Sequence, residues 1–410
     1  MNNVLLEKYA KVAVQIGANV QKGQRLIVNS STETRVLARE IARQAYLIGA
    51  KSVEIIWNDA YTSRYNYLYQ DVEELQNIPN WIVERYHNYV DEGACLISIT
   101  SPITGINEGL DGSKIQKAGV ASSKALSFFR SHTMGNHTQW CVIAAPNPVW
   151  ASKVFPDKSE DEAVEMLWDA ILKASRITET NDPVKEWEAH SITLAKHNKL
   201  LNEYQFAALK FKNSLGTDVE VKLVENHLWC GGVEHSTKGV KFNANIPTEE
   251  NFSMPHKYGV NGKVVATKPL DYQGNLIENF WLEFKEGKVV AYGAEKNEAT
   301  LKNLLESDEG SSRLGEIALI SHDSPISNSG ILFLNTLFDE NASCHMALGR
   351  AYPINVVGGV DMTPEELENI GYNSSLVHCD FMFGNSDMAI KGLTKDGKEI
   401  EIFRNGNFII

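Results

Sequence analysis

The sequence predicts an α/β N-terminal domain with a largely parallel sheet, followed by an α+β C-terminal domain. Three observations favour this fold class. The length of 410 residues exceeds what one hydrophobic core usually serves, so we expect two domains of about 200 residues each. Apolar runs alternate with helical patterns in the first half, whereas short strands and glycine-rich turns dominate the second half. We place the boundary near residue 190, which gives domains 1–190 and 191–410.

The first domain opens its sheet with a βαβ unit. The run RLIVN at 25–29 is typical of a buried strand, and SVEIIW at 52–57 of the next one. Between them, Ser30 and Glu33 form a candidate capping box at the start of an amphipathic helix. Further strand candidates of this sheet are the apolar runs at 94–100 and 138–145. Because helical stretches separate these runs, we expect largely parallel pairing.

The second domain follows a charged helical region at 160–203. After it, FAALKFKN at 206–213 and TDVEVKLV at 217–224 alternate apolar and polar residues, as half-buried strands do. The sequence therefore predicts that strands and turns dominate this domain.

Composition and charge exclude several classes of function. The formal net charge is −13, and no cluster of lysines and arginines could neutralise a row of phosphates, so no nucleic-acid partner is expected. No apolar run reaches the length of about 18 residues that a membrane span needs. The five cysteines are scattered and form no CxxC pair, which favours a reducing compartment. We therefore expect a cytoplasmic protein.

Several familiar catalytic motifs are missing from the sequence. It contains no GxGxxG turn, no GxxxxGK[ST] phosphate loop, no HExxH and no GxSxG. Dinucleotide binding, a P-loop, a single-zinc protease and a serine hydrolase elbow are therefore not indicated.

The stretch LVHCDFMFG at 376–384 combines an apolar face with two polar ligand types. Strand alternation places His378 and Asp380 on one face. The opposite face is apolar and carries Val377, Cys379, Phe381 and Phe383. We therefore expect the Cys379 sulfur to pack in the core rather than to react.

Further acidic and imidazole groups lie in apolar or constrained segments. Glu316 opens the buried-looking strand EIALI, where an unpaired carboxylate would cost several kcal/mol, so a cation is expected nearby. Each such group also fits a structural role by itself, for example a hydrogen-bonded His378–Asp380 pair. Together they match the ligand set of a two-metal hydrolytic centre, and spacing alone leaves both interpretations open. The candidate residues are Glu250, Glu316, Glu340, His345, His378 and Asp380.

Four ordered motifs carry a resemblance to a known family. The segments NIPTEENFSMPH, GEIALI, ENASCHMALGRAYP and VHCDFMFG resemble those of the aminopeptidase T and aminopeptidase S family of bacterial dinuclear metallo-aminopeptidases. The similarity extends along the whole chain. It implies a cytoplasmic homodimer that removes N-terminal residues from peptides with a free N-terminus. It also implies two divalent metal ions per subunit, for which zinc, cobalt and manganese are the candidates.

The resemblance also assigns roles to residues. It implies that the six candidates named above are the metal ligands, with Glu316 as the bridging carboxylate, and that Tyr352 is an active-site tyrosine. The implied mechanism uses a metal-bridged water or hydroxide as the nucleophile. Glu249 is the candidate proton shuttle to the leaving amine, and Tyr352 could donate a hydrogen bond to the developing oxyanion. The alternatives are another dinuclear metallohydrolase, such as a phosphoesterase or amidohydrolase, and a non-catalytic metal-stabilised binding protein.

Overall fold

The computed structural model describes residues 2–272 and 275–410 of the chain. These residues form two compact units. The first consists of the chain up to Ala189 together with Val233–Pro247, and the second of His190–Gly232 together with Thr248–Ile410. The sequence-based domains 1–190 and 191–410 stay a prediction, and the structure groups Val233–Pro247 with the first unit.

The strands and helices follow one another along the chain with these bounds. The strands are β1 Arg25–Ser31, β2 Ser52–Asn58, β3 Cys95–Thr100, β4 Trp140–Ala144, β5 Ala208–Lys212, β6 Asp218–Leu223, β7 Val233–His235, β8 Lys241–Asn243, β9 Asn251–Ser253, β10 Pro255–Val265, β11 Leu270–Tyr272, β12 Asn275–Ile277, β13 Trp281–Lys285, β14 Lys288–Gly293, β15 Leu314–Leu319, β16 His345–Gly349, β17 His378–Met382, β18 Ala389–Leu393, β19 Glu399–Arg404 and β20 Asn407–Phe408. The α-helices are α1 Asn3–Val12, α2 Arg35–Leu47, α3 Ala60–Tyr69, α4 Val72–Gln76, α5 Asn80–Asp91, α6 Gly112–Ala125, α7 Ser127–Met134, α8 Pro148–Val154, α9 Glu160–Ala174, α10 Pro183–Tyr204, α11 Glu298–Leu305, α12 Pro325–Ser329, α13 Thr336–Asp339 and α14 Pro364–Asn369. A π-helical turn spans Ala13–Gly17, and 3₁₀ turns span Thr32–Thr34, Glu340–Ala342, Pro353–Asn355 and Gly359–Asp361.

The first unit contains the parallel sheet that the sequence predicts. Its strand order is β2-β1-β3-β4, and every neighbouring pair is parallel. All four apolar runs named above form its strands, so the prediction of a largely parallel N-terminal sheet is confirmed. Among the helices that the structure describes, none is long and apolar enough to cross a membrane.

The predicted capping box at Ser30 is wrong. Strand β1 continues through Ser31, a 3₁₀ turn follows, and α2 begins only at Arg35. Because Ser30 is still part of the strand, its hydroxyl cannot cap the helix and instead lies 2.7 Å from Thr34 Oγ1. The N-cap position of α2 is Thr34, which makes no side-chain capping bond.

The second unit is built on two antiparallel sheets. One has the order β14-β13-β10-β6-β5-β18-β19-β20, and the other has the order β17-β16-β15-β9. Their apolar faces meet in one buried cluster. Ring centroids lie 5.3 Å apart for Phe211 and Phe383 and 5.7 Å apart for Phe280 and Phe381. The smaller sheet therefore has one face against the core, which leaves its other face for polar groups.

Strand alternation on β17 is as predicted. Phe381 and Phe383 belong to the buried core, and Val377 and Cys379 pack against it. Burial also raises the pKa of the Cys379 thiol to about 12, so the sulfur stays a thiol at neutral pH. Cys379 therefore packs as the sequence predicts.

Candidate metal centre

The register of the smaller sheet brings the polar candidates to one face. Ala347 on the central strand β16 pairs with Glu316 of β15 on one side and with Asp380 of β17 on the other. Directly opposed residues of antiparallel strands point to the same face. His345, two residues before Ala347 on the same strand, therefore shares that face. His378, two residues before Asp380, does so as well.

The residues of β16 that lie between these side chains are small. Ala347 is fully buried, and Gly349 pairs with His378. Gly349 has a φ of 103°, and a Cβ there would lie 2.2 Å from the Val377 carbonyl oxygen, so only glycine fits. No large side chain of β16 therefore lies between the flanking candidate ligands.

Two ligand groups with metal-binding geometry share one carboxylate. Glu250, Glu316 and His345 form one group, and Glu316, His378 and Asp380 form the other; within each, the ligand atoms lie within 4.8 Å of one another. Glu316 Oε1 is 3.2 Å from His345 Nε2, whereas Glu316 Oε2 is 3.7 Å from His378 Nε2. Glu316 thus directs one carboxylate oxygen towards each histidine.

Backbone carbonyls orient both imidazoles. His345 Nδ1 donates to the Glu340 carbonyl over 2.8 Å, and His378 Nδ1 donates to the Arg350 carbonyl over 2.7 Å. Because a carbonyl oxygen only accepts, each Nδ1 carries a hydrogen, so Nε2 is the nitrogen that would bind a cation in place of its proton. Such fixed tautomers are typical of histidines that bind metals.

The carboxylates give this face a strongly negative potential. Burial alone would lower the pKa of His345, but Glu316 and Asp380 outweigh it and raise that pKa to about 10. The pKa of His378 is likewise raised to about 10 despite burial, chiefly by Asp380. Both shifts show that the cluster favours positive charge.

The donor set suits divalent cations. Asp380 Oδ1 is buried and lies 3.3 Å from His378 Nε2, but it has no hydrogen-bond partner with adequate geometry among the described residues. A buried charged oxygen of this kind requires a compensating partner. Carboxylate oxygens and imidazole nitrogens together accept zinc, cobalt or manganese.

Glu340 lies beside the cluster rather than within the two ligand groups. Burial and the charges of Asp380 and Glu250 raise the pKa of Glu340 well above its usual value. Its neighbour Asn341 is fully buried, donates to the Leu337 carbonyl and accepts from the Glu249 backbone N–H over 2.8 Å. Asn341 therefore joins the segment of Glu340 to the segment of Glu249.

The Tyr352 ring lies beside His378 of the cluster, whereas the Glu249 side chain lies beside His190. The Tyr352 ring centroid is 4.7 Å from that of His378, and burial together with the Glu316 charge raises the pKa of its phenol. Glu249 Oε2 lies 3.6 Å from Nε2 of His190, and the same nitrogen is 2.8 Å from the Thr248 carbonyl oxygen. Sequence reasoning missed His190 and Asn341, because neither has a spacing that marks it.

Comparisons with known proteins agree with a metal site. The chain matches the model of the thermophilic metalloprotease (M29) family over residues 2–408, and it belongs to this family. It is 46% identical over 403 residues to aminopeptidase AmpS of Bacillus subtilis (strain 168), with 98% of each chain covered. It is 45% identical to aminopeptidase 2 of Geobacillus stearothermophilus, covering 98% of this chain and 97% of that relative. The solved structure of wild-type AmpT from Thermus thermophilus matches with a TM-score of 0.93 and 37% identity over 99% of both chains.

Proposed function

We propose that this protein is a metal-dependent aminopeptidase that hydrolyses the N-terminal peptide bond of peptides. The observation that carries the proposal is Glu316, which directs its two oxygens to two ligand groups on one sheet face in a member of a metallopeptidase family. Relatives named as aminopeptidases, with 38–46% identity along nearly the whole chain, support the exopeptidase activity. Family membership disfavours a phosphoesterase, an amidohydrolase or a non-catalytic binding protein.

The site would hold two divalent cations per subunit, which are zinc, cobalt or manganese. Its first ion would lie with Glu250 and His345, its second with His378 and Asp380, and Glu316 would bridge them. Glu340 would be the sixth ligand, as the sequence predicts, and the charges of Asp380 and Glu250 act on its carboxyl. When bound, such ions activate water as a nucleophile at neutral pH and polarise the scissile carbonyl.

The side chains around the ligands would bind the substrate and move protons. Tyr352, whose ring lies beside His378, would donate its phenolic hydrogen to the oxygen that becomes negative in the transition state. Glu249 would carry the proton to the leaving amine, and its Oε2 lies 3.6 Å from His190 Nε2. The clustered carboxylates would accept hydrogen bonds from the free α-ammonium of the substrate, which explains a preference for the first peptide bond.

The proposed setting is the cytoplasm, and the proposed assembly is a homodimer. The five cysteines are all free, as in proteins of reducing compartments. Support for the dimer comes from the resemblance to the aminopeptidase T and S family.

The function is tested by comparing a peptide with a free N-terminus, its N-acetylated form and a phosphoester. We expect rapid release of the first residue from the free peptide and little turnover of the other two. Glu316→Gln should lower turnover at least about 100-fold in folded protein, because one bridging oxygen becomes an amide nitrogen. Glu306→Gln, the same change at an exposed helix end, is the matched control and should leave turnover unchanged. Equal cleavage of the acetylated peptide would refute the aminopeptidase assignment.

A further inference from the structure

Glu250 differs from most of the other candidate ligands in how its backbone is held. Four of the six lie on paired strands of the smaller sheet, where the hydrogen-bond ladder fixes the backbone. Residues 248–250 belong to no helix or strand, and β9 begins only at Asn251. Contacts outside the ladder therefore direct the chain that leads to Glu250.

The peptide group that joins Thr248 to Glu249 is bound at both ends by side chains. Its carbonyl oxygen accepts a hydrogen bond from His190 Nε2 over 2.8 Å. Its N–H donates to Asn341 Oδ1 over 2.8 Å. Because a peptide group is planar, two bonds at its opposite ends fix the direction in which the chain continues to Glu250.

Asn341 is itself held in place. Its side chain is fully buried, and its Nδ2 donates to the Leu337 carbonyl over 3.0 Å. It lies in the 3₁₀ turn Glu340–Ala342, whose first carbonyl accepts from His345 Nδ1. One short turn therefore orients both His345 and the chain that carries Glu250, which are members of the same ligand group. Glu250 Oε2 lies 3.5 Å from His345 Nε2, so a small displacement of either side chain would open that group.

We propose that Asn341 is a positioning residue for the first of the two metal ions and acts through Glu250. Loss of its Oδ1 releases one end of the Thr248–Glu249 peptide, and Glu250 then no longer stays beside His345. The second ligand group contains no residue of this segment, so binding of the second ion does not depend on Asn341. This inference rests on the two-ion centre of the proposed function.

The test compares zinc binding by the wild-type protein and by Asn341→Leu, which keeps the approximate size of the side chain and removes both hydrogen bonds. Equilibrium dialysis against buffered free zinc gives a constant for each binding step. We expect one step to weaken by about 10–100-fold, the usual effect of losing a group that orients a ligand, and the other to change less than about twofold. A purely structural role predicts a lower Tm with both steps unchanged. That result, or equal weakening of both steps, would overturn the proposal.

Asn202→Leu is the matched control for the loss of a buried amide. Asn202 Oδ1 accepts from the Trp229 N–H over 2.8 Å, and its Nδ2 donates to the Trp229 carbonyl over 3.1 Å. This variant loses one bond of each kind, as Asn341→Leu does, but at a segment without a candidate ligand. Both zinc-binding steps should be unchanged. Asn341→Ala repeats the test if leucine impairs folding, with the same expected difference between the two steps.

A double-mutant cycle determines whether Asn341 acts through Glu250. Glu250→Ala removes the ligand and should weaken the same step, and adding Asn341→Leu should weaken that step less than about twofold further. Effects that multiply would mean that Asn341 acts elsewhere, for example on the adjacent Glu340, and would overturn the proposal.

Peptide turnover is measured separately from zinc binding. Wild-type protein that binds two zinc ions but releases no N-terminal residue would refute the proposed function and leave the role of Asn341 intact. Normal turnover together with unchanged zinc binding in Asn341→Leu would refute only this inference. Wild-type protein that binds fewer than two zinc ions would refute the two-ion centre and this inference with it.

Discussion

Ala347→Leu tests whether the space at the middle of the ligand-bearing sheet face is what holds the ions. Ala347 is fully buried and pairs in register with Glu316 and Asp380, whose Cβ atoms lie about 4.5–5.5 Å away in such a ladder. Leucine adds three carbons on this face, next to the candidate ligand atoms, which within each group lie within 4.8 Å of one another. We expect overpacking of about 1–3 kcal/mol, which lowers Tm by about 2–12 °C. Metal affinity should fall at least about tenfold, which corresponds to about 1.4 kcal/mol.

The assay combines metal titration by calorimetry, thermal unfolding of the metal-free protein and turnover of a free peptide. Met346→Leu is the matched control, because Met346 directly precedes Ala347 on β16 and faces the hydrophobic core. This volume-conserving change should cost less than about 1.5 kcal/mol and leave metal affinity unchanged. Wild-type metal affinity and turnover in Ala347→Leu would refute the reasoning that the ions occupy the space in front of Ala347.

Two further predictions concern the same sheet. Chelation should abolish turnover and lower Tm, because ions that bind only the folded chain stabilise it by about 4.1 kcal/mol at a free concentration a thousandfold above Kd. Adding zinc, cobalt or manganese should restore both turnover and Tm. Turnover by the metal-free protein would contradict the mechanism. The second prediction compares alanine at Gly349 with alanine at Gly397. Gly349 has a φ of 103°, and an added Cβ would lie 2.2 Å from the Val377 carbonyl oxygen. Gly397 has a φ of 83°, but no atom lies within 4 Å of an added Cβ. Denaturant unfolding should show a loss of about 1–3 kcal/mol from backbone strain at either glycine and a larger loss at Gly349; equal losses would show that the close approach of β16 to Val377 costs nothing.

Local patterns in the sequence predicted the elements that hydrophobic periodicity controls. The parallel sheet and the alternation along β17 follow from such patterns, because burial on one or both faces leaves a period in the sequence. The start of α2 at Arg35 could not be predicted, since the extended conformation of β1 continues through Ser30 and Ser31. Residues 233–247 also gave no signal that they lie with the first unit, because that grouping rests on contacts between distant parts of the chain.

The sequence named the candidate ligands, but it could not give their arrangement. The desolvation cost of buried acids and imidazoles on apolar strands favours a nearby cation, but from spacing alone a structural hydrogen-bonded pair stayed equally open. The sharing of Glu316 depends on the cross-strand register of β15, β16 and β17, which spacing along the chain does not contain. The pairing of Glu249 with His190 of α10 arises in the same way from tertiary contact.

The small sheet also determines when the protein can acquire its ions. Its ligand-bearing segments are widely separated in sequence, so an unfolded or partly folded chain offers only local pairs such as Glu340 with His345 and His378 with Asp380. The full set assembles only when β9, β15, β16 and β17 are aligned, and a slip of one residue in any strand turns its side chains to the other face. If these residues hold the metal, stable metal binding therefore follows the formation of this sheet in its correct register.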